Sequence, residues 1–205
     1  MGSKSNDMRT SEHLLDSKEK LKKWVEQDRI ACGYPAKQTW EERILGIFAP
    51  NYLLRFELQL RKVEYLTNSK SVWLRWLRLL TGKLRLRKMQ LKLGFTIPIN
   101  TFGPGLSIAH YGTIVVSQDA TIGSNCRLHA GVNIGASAGK AGAPRIGDNV
   151  YIGPGAILFG NIVIANNVSI GANATVNKSF EKNNVVIAGT PAAIVKEGAL
   201  AWNEH

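Results

Sequence analysis

The sequence predicts a mainly β protein. A parallel β-helix of hexapeptide repeats, residues 94–195, follows an α-helical N-terminal region, residues 1–93, and a short tail, 196–205, ends the chain. Three observations predict this. Aliphatic residues recur every six positions between 102 and 176, apolar residues recur at helical spacing before residue 93, and the composition changes abruptly at Gly94, after which most of the 20 glycines lie.

The repeat is the strongest signal. Ile122, Leu128 and Ile134 form one series at six-residue spacing, and Ile146, Ile152, Leu158, Ile164, Ile170 and Val176 form a second. Ile134 and Ile146 are twelve residues apart, so both series share one register. Four residues after each member comes a second apolar position, often small: Cys126, Val132, Val150, Ala156, Ile162, Val168 and Ala174. Glycine often follows the first position, as at Gly123, Gly135, Gly147, Gly153 and Gly171. A triangular coil explains this. Each short side sends one aliphatic side chain into a narrow interior, and stacked coils bury a column that no repeat could bury alone. Small residues beside the corners, glycine above all, meet the backbone angles expected there. A sheet of period two or a helix of period 3.6 would not give a spacing of six.

The N-terminal half reads as helices. Leu14, Leu15, Leu21, Trp24 and Val25 mark an apolar stripe, with Ser11 as its N-cap, ended at Gly33–Tyr34–Pro35. Thr39, with Glu42 three residues on, caps a second helix towards Phe48. Pro50 interrupts it, a third runs from Tyr52 to Leu66, and a fourth from Ser71 to about Leu91, with Gly82 a potential break.

Lys and Arg outnumber Asp and Glu by 26 to 15, a net charge of +11. Much of the excess sits in one stretch without acids, where Lys70, Arg75, Arg78, Lys83, Arg85, Arg87, Lys88 and Lys92 alternate with Trp73, Trp76 and leucines. A solvated basic helix face is the plainer reading. Weak attraction to an anionic membrane surface or an anionic glycan is the sharper one, and nucleic acid is not expected. Two cysteines make neither a disulfide framework nor a metal spacing. No apolar run is long enough to span a bilayer, and the polar start lacks signal-peptide character. These features predict a cytoplasmic protein, with a peripheral contact at the inner membrane face as the variant that the basic helix suggests.

Departures from a regular repeat are where function is inserted. Upstream of Ile122 the series continues to Val116, and the next member would be residue 110. That residue is His110, with Ile108 two positions earlier and Phe102 six before that. The register slips by two residues, and a histidine occupies the slip. The second departure is 136–145, whose small, flexible Ser137 to Gly142 predicts an extruded loop.

Gly103–Pro104–Gly105–Leu106–Ser107–Ile108–Ala109–His110–Tyr111–Gly112–Thr113–Ile114–Val115–Val116 resembles the catalytic turn of hexapeptide-repeat acyltransferases, in particular the serine O-acetyltransferase branch. The loop around Gly139 and Lys140 and the terminal Val186–Ile187–Ala188–Gly189–Thr190–Pro191–Ala192 are similar to that family's loop and closing motif. The likeness covers roughly residues 95–195. It implies a left-handed coil, acetyl-CoA as the acyl donor with no metal, a homotrimer with active sites between subunits, and a helical region able to pair trimers into a dimer of trimers.

Transfer of an acetyl group to an alcohol needs a base, an oxyanion partner and fixed reactants. His110 is the candidate base. The family's layout suggests a backbone N–H near Gly135 and Ala136 for the oxyanion. For coenzyme A it suggests the C-terminal coils, with Ala172, Lys178, Lys182, Gly189, Thr190, Pro191 and Lys196 as positions to test. Ala109, His129, Lys140 and Arg145 are the acceptor-side candidates, and His129 is also the runner-up base. His13 and His205 lie outside the repeats. A zinc-dependent reading fails, because His110 and His129 are two ligands where three are needed.

Three family positions differ. The acid that orients the histidine would fall at Phe95, the acid before it is Ala109, and the second histidine, before the Pro–basic–Ile sequence, is Ala143. Without these charges a zwitterionic acceptor loses its expected partners. The expected activity is therefore acetyl-CoA-dependent O-acetylation of a sugar or polysaccharide hydroxyl, with Glu41, Glu42 or another acid able to substitute. Serine O-acetylation is the alternative, as is a noncatalytic β-helix scaffold.

Overall fold

The computed structural model describes residues 14–69 and 75–203. Four helices come first: α1 (Lys18–Ala31), α2 (Trp40–Phe48), α3 (Tyr52–Asn68) and α4 (Arg75–Leu93). The first N-cap is Ser17, whose side chain accepts from the Lys20 N–H; the expected cap, Ser11, lies outside the described residues. Leu14 and Leu15 thus precede the helix rather than begin it. Thr39 caps α2 through the Glu42 N–H, as its spacing predicts. Gly82 does not break α4. It lets that helix press against α3: a Cβ at 82 would come within 3.3 Å of Val63, and Gln59 donates to the Gly82 carbonyl. The start of the expected fourth helix, from Ser71 to Leu74, lies outside the described residues.

The β-helix follows coil by coil. The first coil carries β1 (Phe95–Thr96) and β2 (Ser107–Ile108), the second β3 (Ile114–Val116), β4 (Thr121–Ile122) and β5 (Arg127–Leu128). The third has β6 (Asn133–Gly135), β7 (Arg145–Ile146) and β8 (Tyr151–Ile152), the next β9 (Ile157–Phe159), β10 (Val163–Ile164) and β11 (Val168–Ile170). The last has β12 (Thr175–Val176) and β13 (Val185–Ala188), and β14 (Ala193–Glu197) folds back antiparallel on β13. Three sheets result: A (β1-β3-β6-β9-β12), B (β4-β7-β10) and C (β2-β5-β8-β11-β13-β14).

The six-residue series becomes three columns. Ile108, Leu128, Ile152, Ile170 and Ile187 stack on sheet C, and Val116, Ile134, Leu158 and Val176 on sheet A. Phe102, Ile122, Ile146, Ile164 and Phe180 stack on sheet B. All are buried, as is the second series, including Cys126, whose thiol pKa burial pushes up. Cys126 is a core residue.

The corners are built differently from expectation. The glycines after the aliphatic position have ordinary backbone angles; what Gly123, Gly147, Gly153 and Gly171 answer is the closeness of stacked coils. A Cβ on Gly123 would lie 2.8 Å from the Gly147 backbone. The left-handed angles at the corner between sheets B and C fall instead to Asn125, Asn149, Asn167 and Asn184. Their side chains form a ladder, each amide donating to the next at 2.8 to 2.9 Å. Asparagine tolerates this region because its short amide bonds locally.

The first coil needs a cover, since its backbone has no coil above it. Helices α1 and α3 supply one through buried charges. Asp28 accepts from the Gly105 and Leu106 N–H groups, Glu57 from Ile108 and Glu64 from Asn100. Arg61, fully buried, donates to the carbonyls of Phe102 and Gly103 and is held by Asp28 (2.7 Å) and Glu64 (2.9 Å) under the Trp24 ring. The helical region and the β-helix are thereby locked together.

Candidate active site

His110 lies at the corner joining β2 to β3, between sheets C and A. From the inward Ile108 to the inward Val116 is eight residues, against six from Leu128 to Ile134 in the coil beneath. The two extra residues push the corner outward, and His110 and Tyr111 are exposed. Gly112 makes the detour passable. Its φ is 132°, a Cβ there would meet the Ala130 Cβ at 3.1 Å, and its N–H reaches the Leu93 carbonyl at the end of α4.

One coil below, at the same corner, sits His129. Its ring centroid is 5.7 Å from that of His110 and 5.0 Å from that of Tyr151. The His129 Nε2 is buried and has no hydrogen-bond partner among the described residues. Burial first, then the charges of Arg127 and His110, hold its pKa below the usual histidine value. An imidazole biased towards its neutral form therefore sits tilted beside the candidate base.

A small cavity of about 140 Å³ opens next to this corner, between the helical cover and sheet C. Cys32, Tyr34, Asn51, Ser107, Ala109 and Arg127 give it its character. Asn51 donates to the Tyr34 hydroxyl (2.7 Å) and Arg127 to the Ser107 hydroxyl (3.0 Å). No carboxylate lines it among the described residues. Glu42 is taken by Arg29 at 2.5 Å, and Glu57, just behind the wall, is committed to the Ile108 N–H and to Cys32 Sγ (3.0 Å). Burial and the Asp28 charge raise the Glu57 pKa to about 8, and burial with the Glu57 charge pushes the Cys32 thiol up. Phe95 is buried edge-on against Phe56 and Ala143 is buried, so neither position offers polar chemistry.

The sequence candidates fall into three groups. Ala109 and His129 join His110. Ala172, Gly189 and Pro191 lie further down the same corner, where the Gly189 carbonyl accepts from Thr175. Gly135, Ala136 and the loop with Lys140 leave from the corner between sheets A and B, at the opposite end of sheet A from His110, and Arg145 begins sheet B beyond it. Lys178 follows β12 at that same corner, its ammonium 5.5 Å from the Phe180 ring. Lys196 lies on β14, and Lys182 pairs with Glu197. Within one chain the Gly139–Lys140 loop is thus not beside His110.

Sequence reasoning missed Asp28, Glu57, Arg61 and Glu64, and also Tyr34, Asn51 and Trp202. Glu57, Arg61 and Glu64 carried one available signal, charges placed on the apolar face of α3.

Residues 143–178 match the family described as bacterial transferase hexapeptide (six repeats). Serine acetyltransferase from Staphylococcus aureus (strain Mu50 / ATCC 700699) is 40% identical over 100 residues, 48% of this chain and 46% of that protein. The chain thus spans about half the length of the curated relatives it matches. The Neisseria gonorrhoeae serine acetyltransferase in complex with serine superposes with a TM-score of 0.64 at 26% identity, covering 85% of this chain and 69% of that one. The chain is thus similar to the hexapeptide-repeat transferases over residues 143–178 and to the serine acetyltransferases over about half its length. A third likeness, to the Brucella abortus serine acetyltransferase in complex with coenzyme A, has a TM-score of 0.66 at 23% identity, covering 89% and 70%, and speaks for the fold. As in that fold, the β-helix is left-handed. The usual right-handed crossover preference does not govern it.

Proposed function

We propose that this chain is an acetyl-CoA-dependent O-acetyltransferase with His110 as its base. The observation that carries the proposal is the outward-displaced corner: an exposed histidine above a half-buried one, beside a polar cavity that can hold an alcohol. A ring nitrogen of His110 takes the hydroxyl proton as the oxygen attacks the thioester carbonyl carbon. Backbone N–H groups near Gly135 and Ala136 stabilise the oxyanion. Its collapse expels the coenzyme A thiolate, which recovers the proton from the imidazolium. Coenzyme A lies along the corner from His110 towards Ala172, Gly189 and Pro191, with Lys196 as a counter-charge from the same chain and Lys178 as one supplied by a neighbouring subunit. Gly135, Ala136, Lys140 and Arg145 reach the reaction from a neighbouring subunit, which calls for a homotrimer.

The relatives favour L-serine as the acceptor over the sugar hydroxyl expected from the sequence. A sugar hydroxyl is the second reading, and the cavity supports it. Its lining has a guanidinium, hydroxyls and an amide but no carboxylate to meet an ammonium group. The domain division at residue 93, a cytoplasmic setting and pairing of trimers complete the proposal. The pairing uses the exposed Trp40, Ile44, Leu45, Ile47 and Phe48 of α2. No helix among the described residues is long and apolar enough to cross a membrane.

The test is thiol release from acetyl-CoA with L-serine or methyl glycosides as acceptors. His110→Ala should lower the rate by roughly 100-fold or more. Wild-type protein that neither binds nor consumes acetyl-CoA would refute the proposal, and turnover confined to serine would remove the sugar reading.

A further inference from the structure

Beyond β14 the chain turns back across the outer face of sheet C. Ala201 is buried there, the Trp202 indole N–H donates to the Asn125 carbonyl (2.8 Å), and the indole ring stands 5.5 Å from the Arg127 guanidinium. With Arg127, Tyr151 and Ser169, this fixed ring lines a cavity of about 490 Å³. The three strand residues are consecutive rungs of sheet C: Arg127 is in register with Tyr151, and Tyr151 with Ser169. The Tyr151 ring touches His129 and His129 touches His110, so an unbroken row of rings leads from this cleft to the displaced corner. Arg127 also lines the small cavity beside Ala109, so the two spaces share this side chain.

We propose that this cleft binds the ring of an anionic pyranoside, with the sugar face on Trp202 and its carboxylate or phosphate on Arg127. This rests on the sugar reading of the acceptor and extends it. An indole held by its own N–H and by the guanidinium over its ring offers the rest of its apolar surface with little freedom left to lose. Arginine presents a planar fork suited to a carboxylate or phosphate. Its Nη1 serves the Ser107 hydroxyl, and the guanidinium has further donors for an anion. The hydroxyls of Tyr151 and Ser169 suit those of a sugar. A free amino acid would fill the 140 Å³ cavity and leave this larger cleft unused.

Calorimetric titration with methyl β-D-glucuronide, glucose 1-phosphate and methyl β-D-glucoside tests the proposal. The wild type should bind one of the two anionic probes at millimolar concentration and prefer it to the neutral glucoside. The preferred probe distinguishes a uronic acid from a sugar phosphate. Trp202→Ala should weaken binding about fivefold or more, Trp202→Phe should retain most of it, and Arg127→Gln should erase the preference for the anion. Circular dichroism checks that each variant is folded. Three results would overturn the proposal: no probe binding to wild type, unchanged binding by Trp202→Ala, or a loss in Trp202→Ala that falls on coenzyme A rather than on the sugar. Coenzyme A is titrated in parallel. If it fails to bind while the anionic sugar binds through Trp202, the transferase reading falls and the cleft stands.

Discussion

Replacing Glu57 with glutamine should leave the protein as stable as wild type in acid and make it markedly more stable in alkali. Glu57 is fully buried beneath the first coil, accepting from the Ile108 N–H at 2.9 Å, with Cys32 Sγ at 3.0 Å from its other oxygen. Desolvation and the Asp28 charge outweigh those contacts and the more distant Arg61, so its pKa rises from an ordinary 4.5 to about 8. The folded protein therefore holds this proton more tightly than the unfolded chain does. The stability linked to the proton is complete below about pH 4.5 and is lost as pH rises to about 8. At roughly 1.4 kcal/mol per pKa unit, the gap corresponds to about 4 to 5 kcal/mol. Glutamine keeps an oxygen for the Ile108 N–H, can donate to Cys32 Sγ and cannot ionise. Urea unfolding of both proteins at pH 5, 7 and 9, followed by two probes, measures the difference. It should be small at pH 5 and grow to several kcal/mol in favour of the variant at pH 9. Parallel curves across that range, or a variant weaker than wild type at pH 9, would refute the assignment of a protonated Glu57.

Two further predictions concern the cover and the displaced corner. Arg61→Met strips Asp28 and Glu64 of their buried counter-charge, and denaturant unfolding at neutral pH should show a loss of about 3 to 5 kcal/mol. Gly112→Ala forces a Cβ onto Ala130 at a φ of 132°. It should cost roughly 1 to 3 kcal/mol in a thermal melt and lower acetyl transfer by shifting His110, while coenzyme A binding measured by titration changes less.

The β-helix was legible because its information is local and repeated. Ile122, Leu128 and their successors each state the same requirement, and only a coil with sides of six residues satisfies them all. His110 was legible for the same reason, as the place where the count fails. The glycines misled in part: the sequence shows that a residue is small without showing whether an angle or a neighbour requires it. Gly123 answers to the Gly147 backbone, and the left-handed angles belong to Asn125 and its ladder at one corner and to Gly131 and Gly155 at another.

By itself, then, the sequence determined the repeat, the column of aliphatic side chains, the helical half before it and the displaced histidine. Each depends on spacing along one stretch of chain. Tertiary structure alone decided what covers the first coil and the outer face of sheet C. Asp28 meets Gly105, Arg61 meets Phe102, and Trp202 reaches Asn125 and Arg127, across separations of 77, 41, 77 and 75 residues. No periodicity links such partners. They meet because an uncovered coil end must have its backbone groups satisfied and because the tail lies back over sheet C, and both are consequences of the folded shape.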